Sequence, residues 1–140
     1  MFCAFGAMKA YRECRYGNNA VGLTPWFYVI GAFVWGDVLV FGIFWTLVSM
    51  TVLFLQDWIL FLLIFSVFWL VRSLGETIYW FNQQFSKIVW HPAKKLPGYN
   101  LVKSDYAIWF VYQIVMQCIL VVSIIATIYL SSRWLSSLGR

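Results

Sequence analysis

Asp37, Arg72, Glu76, Gln113 and Gln117 stand out chemically because each interrupts, or lies beside, a long apolar stretch. Two carboxylates, a guanidinium and two amides can relay a proton, line an ion path or clasp helices together. In hydrocarbon such groups strongly favour partners, because an unsatisfied charge or amide there is costly. Arg72 and Glu76 are four residues apart, as are Gln113 and Gln117. On a helix each pair therefore shares one face.

Whether the pairs meet depends on the elements that carry them. From Trp26 to Leu55 the only charge is Asp37, from Trp58 to Val71 there is none, and Tyr106 to Ser132 is also uncharged. A helix of about 20 residues crosses about 30 Å of hydrocarbon. Hydrophobic residues make up 63% of the 140-residue chain and charged residues 11%, so a soluble fold would expose large apolar patches. The stretches are continuously apolar rather than short and alternating, which excludes a membrane barrel.

The sequence thus predicts an all-α integral membrane protein with three transmembrane helices in a single membrane domain, residues 1–140. The first two, near 26–55 and 58–80, form a tight antiparallel hairpin over 26–80. An amphipathic helix at the inner interface follows within the connection 81–105, ahead of the third span at 106–132. Residues 1–25 form a cytoplasmic amino-terminal segment and 133–140 a tail. Gln56-Asp57 marks the turn, and Asp57 can cap the second helix by accepting a free amide proton.

This hairpin gives the polar residues a common depth. Asp37 and Glu76 are equally far from the turn, roughly 30 Å at about 1.5 Å per residue, and Arg72 lies one turn above Glu76. With the third helix ending near Leu130, Gln113 approaches the same layer and Gln117 sits one turn higher. An intramembrane cluster of Asp37, Arg72, Glu76, Gln113 and Gln117 follows. Its role is either a structural clasp that fixes helix register or a site that borders water and exchanges an ion or proton.

A second constellation is made of small residues. Gly31, Val38, Gly42 and Ser49 share a face of the first helix, with Ala32 and Gly36 as a separate pair. Such positions let backbones approach closely, within the chain or between copies.

Basic residues set the orientation. Lys9, Arg12, Arg15, Arg72, Lys87, Lys94, Lys95 and Lys103 lie on one side, against Arg133 and Arg140 on the other. The amino terminus is then cytoplasmic and the carboxyl terminus outside. The start is too weakly hydrophobic for a signal peptide, so the first span serves as the insertion signal. Thr77–Trp90 is amphipathic, with Ile78, Phe81, Phe85 and Ile88 on one face, and suits the interface. Met1–Tyr16 is a weaker interfacial candidate. Lys87, Lys94 and Lys95 are candidate contacts for anionic lipid headgroups. Topology accounts for the net charge of +5, so no nucleic-acid role is expected.

Catalytic signals are sparse. His91 is the only histidine, and Cys3, Cys14 and Cys118 are widely spaced. They offer neither a disulfide framework nor a metal-ligand spacing. Gly17–Gly22 lacks the Lys-Ser or Lys-Thr ending of a phosphate loop. No cofactor, metal or catalytic residue is predicted. Three functional readings follow: a non-catalytic component acting through homo-oligomers or partner subunits, an oligomeric ion or small-solute channel or transporter, and an enzyme acting on a lipid-like substrate.

Overall fold

The computed structural model describes residues 2–17, 19–20, 22–86 and 92–138, the side chains of Pro25 and Lys95 excepted. Helix α1 covers Phe2–Tyr16, α2 Trp35–Leu55, α3 Trp58–Phe85, α4 Tyr99–Val102 and α5 Asp105–Leu138. Three of them, α2, α3 and α5, are long and apolar enough to cross a membrane. The chain divides into two compact units, Met1–Phe61 and Leu62–Arg140, and the division falls inside α3.

In the first unit α2 begins at Trp35, not near residue 26. The apolar residues before it fold back on themselves instead. A 3-10 turn runs over Pro25–Ile30 and ends at Gly31, whose φ of 74° is left-handed. There the amides of Gly31 and Ala32 close on the carbonyls of Tyr28 and Phe27. This is the kind of helix stop that glycine makes without a Cβ penalty.

The returning strand is pinned at its base. Leu23 and Val34 form an isolated antiparallel bridge. The Thr24 amide donates to the Phe33 carbonyl at 2.9 Å, and the buried Thr24 hydroxyl donates to the Ala32 carbonyl at 3.3 Å. Lipid compatibility is a property of apolar length alone, so the sequence run did not reveal where helix gives way to this folded-back turn.

Helix α1 packs against α2 in the opposite direction. Gly6 faces Phe27 and Val38, while Cys3 and Ala7 lie against Gly42. Lys9 Nζ sits 5.3 Å from the centre of the Trp35 ring, a cation–π contact. Ala10, Phe27, Ala32 and Val38 form the buried core of this unit. A Cβ on Gly42 would stand 2.9 Å from the Cys3 carbonyl oxygen and 3.0 Å from Ala7 Cβ. The glycine thus sets how near the two backbones come.

Gln56 and Asp57 alone separate α2 from α3. Gln56 takes a left-handed φ of 53°, and the Leu60 amide donates to the Asp57 carboxylate at 2.9 Å. The cap read from the sequence is present, at the third amide of α3.

In the second unit α3 and α5 run antiparallel. Thr127 hydrogen-bonds to Ser66, Tyr112 stacks near Trp80, and Gln84 bonds to Gln113. Buried positions recur every seven residues on both helices, at Ser66, Ser73 and Trp80 on α3 and at Trp109, Met116 and Ser123 on α5. A seven-residue recurrence is the spacing of a coiled-coil seam, and serines let membrane helices approach closely.

Both helices outrun the expected spans of 58–80 and 106–132. Phe81 to Phe85, assigned from sequence to the interfacial connection, continue α3. Ile88 and Trp90, the rest of that amphipathic stretch, lie outside the described residues.

Replacing Gly42 by Leu should push α1 off α2 at a cost of about 1–3 kcal/mol, the usual scale of overpacking. Faster tryptic cleavage after Arg12 and Arg15, with helix content retained, would register it. Gly75→Ala is the control, since nothing lies within 4 Å of its added Cβ, and cleavage there should not rise.

Candidate functional site

Asp37 is the third residue of α2, and its carboxylate accepts from the Phe33 amide at 3.1 Å. The charge sits on the first helical turn, where the aligned peptide dipoles favour an anion. It also ties the folded-back segment to the helix it precedes. The Trp45 indole makes a second tie, donating to the Ile30 carbonyl at 3.1 Å. Neither tie was legible in the sequence, because the Phe33 amide that donates and the Ile30 carbonyl that accepts are backbone groups in a segment expected to be continuous helix.

Arg72 and Glu76 form an ion pair with 2.9 Å between Nη2 and Oε1. Their side chains are 20% and 12% exposed. At about 1.5 Å per residue, Arg72 is about 21 Å and Glu76 about 27 Å along α3 from its start. Pairing lowers the cost that either charge would carry in hydrocarbon.

Gln113 meets an amide rather than a charge. Gln84 Nε2 donates to Gln113 Oε1 at 2.6 Å and also to the Trp80 carbonyl at 3.2 Å. Neighbouring Gln83 is 2% exposed. One turn along α5, Gln117 is half-buried, and the α3–α5 register sets it level with the Glu76 region. Arg72, Glu76, Gln84, Gln113 and Gln117 therefore all belong to the second unit, whereas Asp37 belongs to the first.

The connection to α5 folds against the same end of the seam. Tyr112 donates to the Pro97 carbonyl at 3.2 Å, and a Cβ on Gly98 would touch Ile108. Ala93 and Leu96 are buried. A hydrogen bond to the Asp105 carboxylate raises the Tyr99 pKa above its ordinary value, with smaller help from desolvation and the carboxylate charge. Lys94 is exposed, while Lys87, His91 and the Lys95 side chain lie outside what is described.

The small-residue face is divided among different surroundings. Val38 and Gly42 pack on α1, Gly31 closes the 3-10 turn, and Ser49 is exposed. Polar residues also recur where no chemistry had been sought. The Thr127 hydroxyl donates to Ser66 at 3.1 Å, and Ser66 itself donates to the Leu63 carbonyl at 2.9 Å. Ser73 bonds to the Trp69 carbonyl and Thr77 to the Ser73 carbonyl. The spacing Ser66-Ser73-Trp80 was the available signal.

Among the described residues no group of three His, Cys, Asp or Glu side chains is placed to hold a metal ion. These spans define a small multi-pass integral membrane protein. No family model, curated protein or solved structure matches the chain.

A double-mutant cycle on Gln84→Leu and Gln113→Leu should return a coupling of about 0.6 kcal/mol, and at most about 1.7 kcal/mol, as for hydrogen bonds between membrane helices. Reversible unfolding in bicelles gives the value; additive losses would show that the contact contributes nothing to folding.

Proposed function

We propose that the protein is a non-catalytic membrane component that works by associating, through its spans, with copies of itself or with other membrane subunits. The observation that carries this reading is how polar and apolar groups are distributed. Arg72 pairs with Glu76, Gln84 with Gln113 and Ser66 with Thr127, all inside the chain. Val121, Val122, Ile125 and Ile128 on α5, and Val67, Val71 and Leu74 on α3, are exposed. Apolar surfaces of this kind suit acyl chains and neighbouring helices alike.

The finer topology belongs to the same proposal. α2 and α3 form an antiparallel hairpin, a reading supported by the two-residue link and the 6.2 Å approach of the Trp45 and Phe61 rings. The amino terminus and the α3–α5 connection are cytoplasmic, as the basic residues favour. An amphipathic stretch past residue 80 lies at that interface, where Lys87, Lys94 and Lys95 meet anionic headgroups. Asp37, in the first unit, and Arg72, Glu76, Gln113 and Gln117, in the second, act as polar clasps within their own units. The face of Gly31, Val38, Gly42 and Ser49 serves close packing, for which the Gly42 contact with α1 is the support.

A second reading, an oligomeric ion or small-solute channel, draws on the Arg72–Glu76 pair, an ionised couple carried well along a span. The two readings part experimentally. Native mass spectrometry of nanodiscs cut directly from the expressing membrane should show a specific oligomer or a stable second subunit. A monomer bearing only lipid would reject association. Asp37→Asn and Glu76→Gln proteins in proteoliposomes should leave ion and proton flux at the level of protein-free vesicles. A leak that the wild type supports and either variant changes would favour the channel.

A further inference from the structure

α2 has 21 residues, which at 1.5 Å each is about 31 Å, close to the hydrocarbon thickness of about 30 Å. Such a span has no length to spare. Trp35 must lie at one edge of the core, and Gly42 about 10 Å inside it. Whatever packs beside residues 36–42 of this helix shares that depth.

Two elements do. The part of α1 whose side chains are uncharged, Phe2–Met8, lies there, since Cys3 and Ala7 meet Gly42 and Gly6 meets Val38. Charge begins on α1 at Lys9, which is level with Trp35, and continues away from the core through Arg12, Glu13 and Arg15. The apolar-to-charged boundary of α1 thus coincides with the end of the span. The turn Pro25–Ile30 is the second element. Phe27 stacks on Phe2 with ring centroids 5.1 Å apart, and the Ile30 carbonyl reaches the Trp45 indole.

Backbone that is not regular helix survives at membrane depth only where its polar groups find partners. Here the partners are on hand. The carbonyls of Phe27, Tyr28, Ile30, Ala32 and Phe33 all accept hydrogen bonds, and the Phe33 amide donates to Asp37. The outer side chains suit oil rather than water. Phe5, Met8, Trp26 and Val29 are 66%, 63%, 84% and 72% exposed.

We propose that Phe2–Met8 and the turn Pro25–Ile30 are seated together in the leaflet that holds the amino end of α2, and that Phe5, Met8, Trp26 and Val29 bind its acyl chains. The protein would then have a half-membrane element in one leaflet only, beside its three full spans. A depth of about 10 Å is the upper end of what interfacial helices reach. This placement rests on α2 crossing the membrane and not on the association proposed above.

The test is nitroxide scanning of the full chain in phosphatidylcholine–phosphatidylglycerol vesicles. Phe5→Cys, Val29→Cys and Arg12→Cys are labelled singly, with the three native cysteines replaced by Ala. Collision with oxygen should exceed collision with an aqueous nickel chelate several-fold at 5 and 29, and the order should reverse at 12. Nickel access at 5 and 29 equal to that at 12 would put both elements in water and overturn the proposal. Low access to both reagents would mean that protein, a second copy or another subunit, covers the face, and would overturn it too. Wild-type protein in vesicles containing a diazirine-bearing acyl chain gives an independent reading free of substitutions. Adducts should map to residues 2–8 and 25–30, and their absence alongside labelled α5 residues would count against the placement.

Discussion

Hydrocarbon offers no hydrogen-bond partner, so every polar group carried into it must bring its own. The two units meet this demand differently. In the first, side chains satisfy backbone: Thr24, Asp37 and Trp45 each bond to a main-chain group of residues 30–33. In the second, side chains also pair with one another across α3 and α5 or within α3, beside the bonds that serines and Thr77 make to carbonyls of their own helix. Asp37 and Arg72 look alike as isolated charges in apolar text, yet one works as a tether at a helix start and the other as half of an ion pair.

The α3–α5 seam shows how small residues and polarity combine. Ser66, Ser73 and Ser123 are buried, where they take little volume; Ser66 and Ser73 donate to carbonyls of their own helix, and Ser66 accepts from Thr127. Further along, the seam is filled by Trp80, Gln83, Trp109 and Met116. Small residues at one end and bulky ones at the other share one seven-residue register. The connection before α5 is held against the bulky end by Tyr112 and Ile108, so it packs as part of this unit.

Much of this was legible in the residues, and the remainder was hidden for identifiable reasons. Three spans could be read because uncharged length measures membrane compatibility directly. The Asp57 cap could be read because a carboxylate just ahead of an apolar helix has an obvious task. The start of α2 could not, since Trp26 to Val34 are as compatible with lipid in a folded-back turn as in a helix, and the left-handed Gly31 carries no mark of its conformation. The seven-residue spacing of Ser66 and Ser73 is easily lost in a continuously apolar run, where two small hydroxyls interrupt nothing. Gln84, the partner of Gln113, sat in a stretch read as lying along the interface, although α3 continues through it. Lys94 was chosen for its charge and is exposed, but exposure alone assigns it no headgroup.

The unequal lengths of the spans have a physical consequence. α3 and α5, with 28 and 34 residues, can tilt to absorb a change in bilayer thickness. α2 is a fixed ruler of about 31 Å, bracketed by Trp35 and by Trp58 just past its end, aromatic side chains that favour headgroup depth. A thicker, sterol-rich membrane would therefore strain α2 first, by hydrophobic mismatch that neither of its neighbours feels. Of the three spans, the shortest is thus the one that limits the range of bilayer thickness the chain can match.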